Sequence, residues 1–387
     1  AFERKATRDV AAAVKRANAP LAVRDAELIA RKYEAISNNP FSFFRGTAYL
    51  YYADVAEVAG LRTAVTIPLM GDLHLENLGT YRTATGVIAY DLNDFDEAAP
   101  GPYTWELARL AVSIHLAAEA NGMAPQADAL VKAFLKAYAG HLGRLDAKSL
   151  QQPLTTGGPA VKAAIAKAGA ASRVKFLAKL GADGRFVPGK KLRAVTPETA
   201  SAVRDAVATY SRGRAEGAAF FRVKDVGQSL AGTASLGRYR YSAWIEGPTN
   251  EPTDDVILDI KEQLVPILSP KATAPQADRA CAAQRHFLPG TEPLMGTVML
   301  RGASMLVREY SPDKESVELS SLKTPADVED YLDTVALAAA RAHARSGKQQ
   351  AILGEWAAKA PAIAQFAAGY ASQVKADCQA FAASLKK

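Results

Sequence analysis

The chain has 387 residues, 49% of them apolar and 22% charged, which suits a two-lobed or two-domain protein with a sizeable core. No apolar run approaches the ~20 residues of a membrane-spanning helix, and two cysteines exclude a disulfide framework. The net charge of +7 favours anionic partners, and the five histidines show no metal-protease spacing.

Along the chain, Lys5 to Tyr33 is Ala-rich with charges between apolar positions, which predicts a helix ending before Asn38-Asn39-Pro40. Phe44 to Val58 predicts a second helix, and Thr63 to Leu69 a buried strand. The strand opens into Gly71-Asp72-Leu73-His74-Leu75-Glu76-Asn77. The next apolar run, Gly86 to Tyr90, ends in Asp91-Leu92-Asn93-Asp94-Phe95-Asp96-Glu97, and Ala84-Thr85-Gly86 marks the tip of a hairpin. Thr104 to Ala120 is apolar at helical spacing, with Leu107, Leu110, Ala111 and Ile114 as a core stripe. Val161 to Arg193 holds nine Lys or Arg and one acid, Asp183. Only Phe176 and Phe186 interleave those charges, so a solvated helix face is expected there, not specific nucleic-acid binding.

From Ala219 the period changes to that of strands. Phe221 to Val226, Tyr239 to Ile245 and Val256 to Ile260 are short β-branched or aromatic runs between Gly, Pro, Asn and Asp. Gln276 to Phe287 is helical in pattern, Val298 to Tyr310 adds one or two strands, and Asp327 to Arg345 and Ala360 to Ala383 return to helix. The expected fold class is α+β, with a mostly helical part and a small antiparallel β part.

The two loops after the first strands concentrate the chemistry. An Asp and an Asn five residues apart precede four acids within seven residues. Phosphoryl transfer to a hydroxyl needs a carboxylate near the incoming hydroxyl, and an amide oxygen with a second carboxylate to hold Mg²⁺ on nucleotide phosphates. Carboxylates so close together repel unless a cation or strong donors neutralise them. A solvated acidic turn is the competing reading. Later, Gly232-Thr233-Ala234-Ser235-Leu236-Gly237 lies between two predicted strands, as a phosphate-covering turn would. Lys261 is the one cation inside the apolar strand that follows.

These loops, with Gly101-Pro102 and Trp105-Glu106-Leu107-Ala108-Arg109, resemble a bacterial domain-of-unknown-function family, number 2252. The likeness extends to Phe43-Phe44-Arg45-Gly46, to the Gly232 to Gly237 turn, to Ile260-Lys261-Glu262 and to the stretch Arg341 to Gly347. Through that family the chain resembles the aminoglycoside-phosphotransferase and protein-kinase-like superfamily. The resemblance implies Asp72 as catalytic base, Asn77 as catalytic-loop metal ligand and Asp94 as the metal-binding Asp of a D-F-G-like triplet. It implies Gly232, Ser235, Gly237 and Lys261 as the nucleotide grip, with Asp278 as the acidic partner of Lys261 and Glu292 behind it. Asp91 and Asp96 are either further metal or substrate contacts or plain hairpin acids. Arg238 and Arg240 give their strand a cationic face, and Arg45, Arg341 and Arg345 are expected chiefly as ion-pair partners.

Three positions depart from the superfamily pattern: Met70 replaces the residue two before the base, Asp96 the triplet glycine, and Ala234 the second glycine of the turn. The order departs as well, because the turn and Lys261 follow both catalytic loops instead of preceding them. A kinase-like fold with circularly permuted lobes is therefore expected. Residues 1–218 would form the helical catalytic lobe, 219–322 the β-rich nucleotide-gripping lobe, and 323–387 helices returning to the first lobe.

The expected function is ATP- and Mg²⁺-dependent phosphotransfer to a hydroxyl of an unspecified acceptor. Nucleotidyl transfer on the same fold and a non-catalytic, pseudokinase-like binding module are the alternatives. A cytoplasmic location is expected, although the opening at Ala1 without Met leaves room for a removed export signal.

Overall fold

The first predicted helix is two helices, α1 (Val10–Arg24) and α2 (Ala26–Ser37), because Asp25 interrupts it. The Asp25 backbone is extended, and its side chain accepts the Leu28 N–H as the cap of α2. The computed structural model describes residue 2, residue 4, residues 7–230 and residues 232–386; Lys5 lies outside them. The second predicted helix also divides, into α3 (Pro40–Gly46), capped by Asn39, and α4 (Ala48–Val55).

Four short strands then bring the two motif loops together: β1 (Thr66–Leu69), β2 (Leu78–Arg82), β3 (Ile88–Leu92) and β4 (Ala99–Pro102). Leu78 pairs with Leu92 in the β2–β3 hairpin, and Leu69 pairs with Ala99 between β1 and β4. Loop 70–77 joins β1 to β2 and loop 93–98 joins β3 to β4, so the two antiparallel ladders force these loops to run side by side. The hairpin tip falls at the predicted Ala84-Thr85-Gly86.

Helix α5 (Tyr103–Ala120) runs beneath the loops and is buried along almost its whole length. Around it pack α6 (Ala127–Leu142), α13 (Pro325–Ala344) and α14 (Gln349–Ser384) in the larger core, where Tyr138, Tyr331 and Phe381 are fully enclosed. Between α6 and the main sheet lie α7 (Ala147–Gln151), α8 (Pro159–Gly169), α9 (Arg173–Leu180) and the small hairpin β5 (Gly181–Ala182) and β6 (Arg185–Phe186).

The main sheet has six antiparallel strands in the order β11-β12-β10-β9-β8-β7. They are β7 (Leu192–Ala194), β8 (Val223–Ser229), β9 (Arg240–Ile245), β10 (Val256–Glu262), β11 (Gly296–Leu300) and β12 (Ala303–Glu309). The sheet begins before the expected boundary at 219: β7 and the covering helix α10 (Pro197–Tyr210) both precede it. A two-residue period sorts the faces. Leu258 and Ile260 pack with Val203 and Val207 of α10, while Asp259 and Lys261 face the other way. Arg308 lies opposite Asp259 and Arg240 opposite Lys261, which makes that second face charged. The short α11 (Gly217–Phe220) leads into β8, and α12 (Gln276–Phe287) connects β10 to β11 over the predicted span. The molecule is thus α+β. Among the described residues no helix is long and apolar enough to cross a membrane.

Candidate active site

Loop 70–77 rests on three polar side chains that share one face of α5. Glu106, Arg109 and Ser113 recur at i, i+3 and i+7, and all are buried. Glu106 accepts the Gly71 N–H at 2.8 Å, Ser113 Oγ accepts the Leu75 N–H at 3.2 Å, and Arg109 Nε donates to Asp72 Oδ1 at 2.7 Å. From the other side, the Tyr52 hydroxyl donates to the Gly71 carbonyl at 2.7 Å. Gly71 has φ +85°, and a Cβ there would collide with the Glu97 carbonyl, so only glycine lets the two loops touch. Glu106 continues to His343 Nε2 at 3.1 Å, and His343 Nδ1 meets the Tyr138 hydroxyl at 2.8 Å. A buried polar chain therefore ties the loop to α13 and α6.

Asp72 keeps 17% of its side chain exposed toward the cleft. Burial pushes its carboxyl up to about 7; Arg109 opposes the rise, and Glu97 and Asp94 add to it. Arg109 is itself fully enclosed between the rings of Phe44 and Tyr51, so it holds Asp72 in one orientation. His74 is buried, and burial together with Arg45 and Arg109 keeps it neutral by lowering its proton affinity. Its Nδ1 accepts the Glu76 N–H at 3.2 Å, which places the ring proton on Nε2, 4.0 Å from Asp72 Oδ2.

Asn77 donates its amide nitrogen to the Asp72 carbonyl at 2.8 Å, leaving the amide oxygen as the group available to a cation. Its backbone carbonyl accepts the Asn93 N–H at 3.2 Å, which holds the acid loop alongside. Asp94 is the most open acid of that loop, with 42% of its side chain exposed. Asp72, His74, Asn77 and Asp94 line one cleft with Thr233 and Ala234 of the Gly-rich turn and Ser42 and Arg45 of α3. Lys261 Nζ lies 3.7 Å from Asp94 Oδ1 and 2.5 Å from Asp96 Oδ2.

Asp96 is fully engaged by cations. Burial works against its ionisation, yet Lys261 and then Arg238, at 3.1 Å, hold its carboxyl well below the ordinary range. Arg279 of α12 grips the same loop through carbonyls, donating to Asp96 O at 2.6 Å and Ala98 O at 2.8 Å. The oxygen donors left for a metal are Asp94 and Asn77. Among the described residues there is no cluster of three or more His, Cys, Asp or Glu side chains that could hold an ion. Two protein oxygens suit Mg²⁺, which is commonly held by one or two carboxylates together with substrate phosphates.

The Gly-rich turn is a single 3₁₀ turn, Thr233–Ser235, between β8 and β9. Of the predicted grip, Gly232 enters it at φ +83° and Ser235 is buried in it. Gly237, at φ +90°, packs against Leu21 and Ile29, where a Cβ would lie 2.7 Å from Ile29 Cδ1. It is Thr233 and Ala234 that line the cleft. The N-terminal helices fasten the turn: Lys32 Nζ donates to the Ala234 carbonyl at 3.0 Å, and Arg24 pairs with Glu262 at 2.7 Å. Burial beside Arg238 lowers Lys32 to about 7, opposed by Glu97.

Several expectations need correction. Asp278 is not the partner of Lys261, because it accepts from Thr297 Oγ1 at 2.6 Å; Glu292 is paired with Lys314. The acid loop itself supplies that partner, Asp96, so Asp96 is a poor metal ligand here. Asp91 is an inward hairpin acid whose Oδ1 accepts the Leu92 N–H, and burial pushes its carboxyl up to about 6, against Arg341. Arg240 is bound to Asp259 at 2.7 Å. The ion-pair expectation is met by Arg45, which pairs with Glu76 at the cleft rim, and by Arg341, 3.9 Å from Asp91; Arg341 and Arg345 also hold the carbonyls of Ser149, Gln152 and Leu150. Cys281 and Cys378 are separate buried thiols. The supporting roles of Glu106, Arg109, Ser113 and Lys32 are absent from the sequence reading. The first three carry a detectable signal, polar residues on one face of an otherwise apolar helix.

Residues 24–384 match the model of a family described as "Uncharacterized protein conserved in bacteria (DUF2252)". No curated protein and no solved structure matches the chain.

Proposed function

The chain belongs to this uncharacterized bacterial family, and we propose that it is an ATP- and Mg²⁺-dependent phosphotransferase acting on a hydroxyl. One observation carries the proposal: Asp72, Asn77 and Asp94 line a single cleft roofed by the Gly-rich turn, with Lys261 3.7 Å from Asp94. In this reading Asp72 orients the acceptor hydroxyl and takes its proton as that oxygen attacks the γ-phosphorus and the bond to the β-phosphate oxygen breaks. Arg109 fixes the Asp72 carboxylate, and neutral His74 offers an N–H beside it. Asn77 and Asp94 would hold the metal, whose bound charge offsets that of the phosphates. Lys261 would meet the α- and β-phosphates.

The order of parts supports a kinase-like arrangement. A Gly-rich connection, a strand lysine and then a helix follow one another in β8–β9, β10 and α12, as in protein kinases. Both catalytic loops come earlier in the chain, hence our proposal of two lobes in permuted order. Kinases pair the strand lysine with a glutamate of that helix. Here the acid that meets the lysine is Asp96 of the loop, and the helix instead contributes Arg279, which holds the loop's carbonyls.

The test uses ATP labelled at the γ- or the α-phosphate, with wild type and Asp72→Asn, against a panel of hydroxyl-bearing acceptors. Transfer of the γ-label by wild type, lost in Asp72→Asn, is the expected result. Transfer of the α-label would identify a nucleotidyl transferase, and no transfer with retained Mg²⁺-ATP binding would identify a binding module.

A further inference from the structure

The basic stretch between Val161 and Arg193 has no part in phosphotransfer, yet some of its lysines gather at one place. Lys179 of α9 and Lys190 and Lys191, from the connection between β6 and β7, line a cleft of about 520 Å³ together with Lys314, which follows β12. That volume lies within the range of small-molecule sites. Three other cations of the stretch are paired, Arg173 with Glu309 at 2.7 Å, Lys167 with Glu315 at 2.8 Å, and Arg193 with Asp25, while Lys162, Lys175 and Arg185 do not line the cleft. Among the described residues, Lys179, Lys190 and Lys191 make no ion pair. The acid lining the cleft is Glu315, and Lys167 already neutralises it.

The walls are apolar and open. Phe176 and Tyr310 meet edge to face at 5.2 Å, and Tyr310 and Val187 are 40% and 68% exposed. Three exposed lysines drawn from two segments around one cleft make it locally positive and attractive to an anion. Lysine is a point-charge ligand for phosphate, and an exposed aromatic side chain offers stacking area to a flat ring. We propose that this cleft binds a phosphorylated compound carrying a flat ring, the chemistry of a mononucleotide, at a site distinct from the acid-loop cleft. Lys179, Lys190 and Lys191 hold the phosphate, and the ring packs on Tyr310 and Phe176.

The experiment is calorimetric titration of the full chain with AMP in the absence of Mg²⁺. Wild type binds, Lys179→Glu/Lys190→Glu/Lys191→Glu binds at least tenfold more weakly, and Asp94→Ala binds as wild type does. Tyr310→Ala weakens AMP while leaving inorganic phosphate unchanged, a second reading that does not depend on charge reversal. AMP binding that is absent in wild type, that survives the triple substitution, or that is lost in Asp94→Ala would overturn the proposal. Because phosphotransfer is not measured, failure of the phosphotransferase reading leaves this result intact.

Discussion

The two halves of the candidate active site are held in opposite ways. Loop 70–77 is fastened from below by buried groups of α5, with Glu106, Arg109 and Ser113 each satisfying a loop atom and His343 and Tyr138 extending the support. The Gly-rich turn is fastened from outside by the N-terminal helices, through one lysine on a carbonyl and one arginine–glutamate pair at the strand end. Buried, mutually satisfied polar networks are rigid and costly to disrupt; the turn is held by fewer groups, the buried Lys32 and an ion pair whose Arg24 side chain is 36% exposed. In the proposed phosphotransfer this division would serve a fixed base beneath a roof able to open for a nucleotide.

Breaking the rigid half gives the largest effects. Asp72→Asn is expected to lower turnover by ~10²–10⁴-fold, the typical contribution of a general base, with nucleotide affinity retained. The pH profile sharpens the point. Asp72 must be ionised to accept a proton, and its carboxyl is pushed up to about 7. The rate should therefore fall about tenfold per unit below that pH and level off above it; a flat profile from pH 5 to 8 would assign the base elsewhere. Glu106→Ala leaves two buried donors without a partner, the Gly71 N–H and His343 Nε2, and should cost about 2–6 kcal/mol in chemical denaturation.

Smaller effects are expected nearer the roof. Asp96→Asn removes the charge that holds Lys261 and Arg238. It should raise the KM for ATP about tenfold, the equivalent of ~1.4 kcal/mol, with a lesser change in kcat. Lys32→Met releases the Ala234 carbonyl and should change the KM for ATP by roughly two- to fivefold, about the size of one hydrogen bond. If Lys32→Met lowers kcat as strongly as Asp72→Asn does, the distinction between a rigid base and a loosely latched roof is wrong.

What was legible in the sequence follows the range of the interactions. The hairpin tip, the span of α12 and five of the six main-sheet strands come from local period and turn chemistry and lie within a few residues of expectation, whereas the short β7 begins within the basic stretch expected as a helix face. The Asp72–Asn77 and Asp94 loops were legible because a single hairpin brings them together. Asp25 was missed as a break because a capping acid inside an Ala-rich stretch looks like any exposed charge. The partner of Lys261 escapes local pattern for a different reason: α12 offers both an acid and a base near its start, Asp278 and Arg279. Only packing decides which of them faces the loop. Lys32 meets a carbonyl 202 positions away, and no local pattern marks such a contact.

In the proposed reaction Asp94 and Lys261 jointly receive a magnesium-bound triphosphate. Calorimetric titration with a non-hydrolysable ATP analogue, with and without Mg²⁺, tests this most directly in wild type, Asp94→Ala and Lys261→Ala. Mg²⁺-dependent binding is expected in wild type, weakened at least tenfold in both variants. Equal binding in all three proteins, or binding indifferent to Mg²⁺, would contradict it.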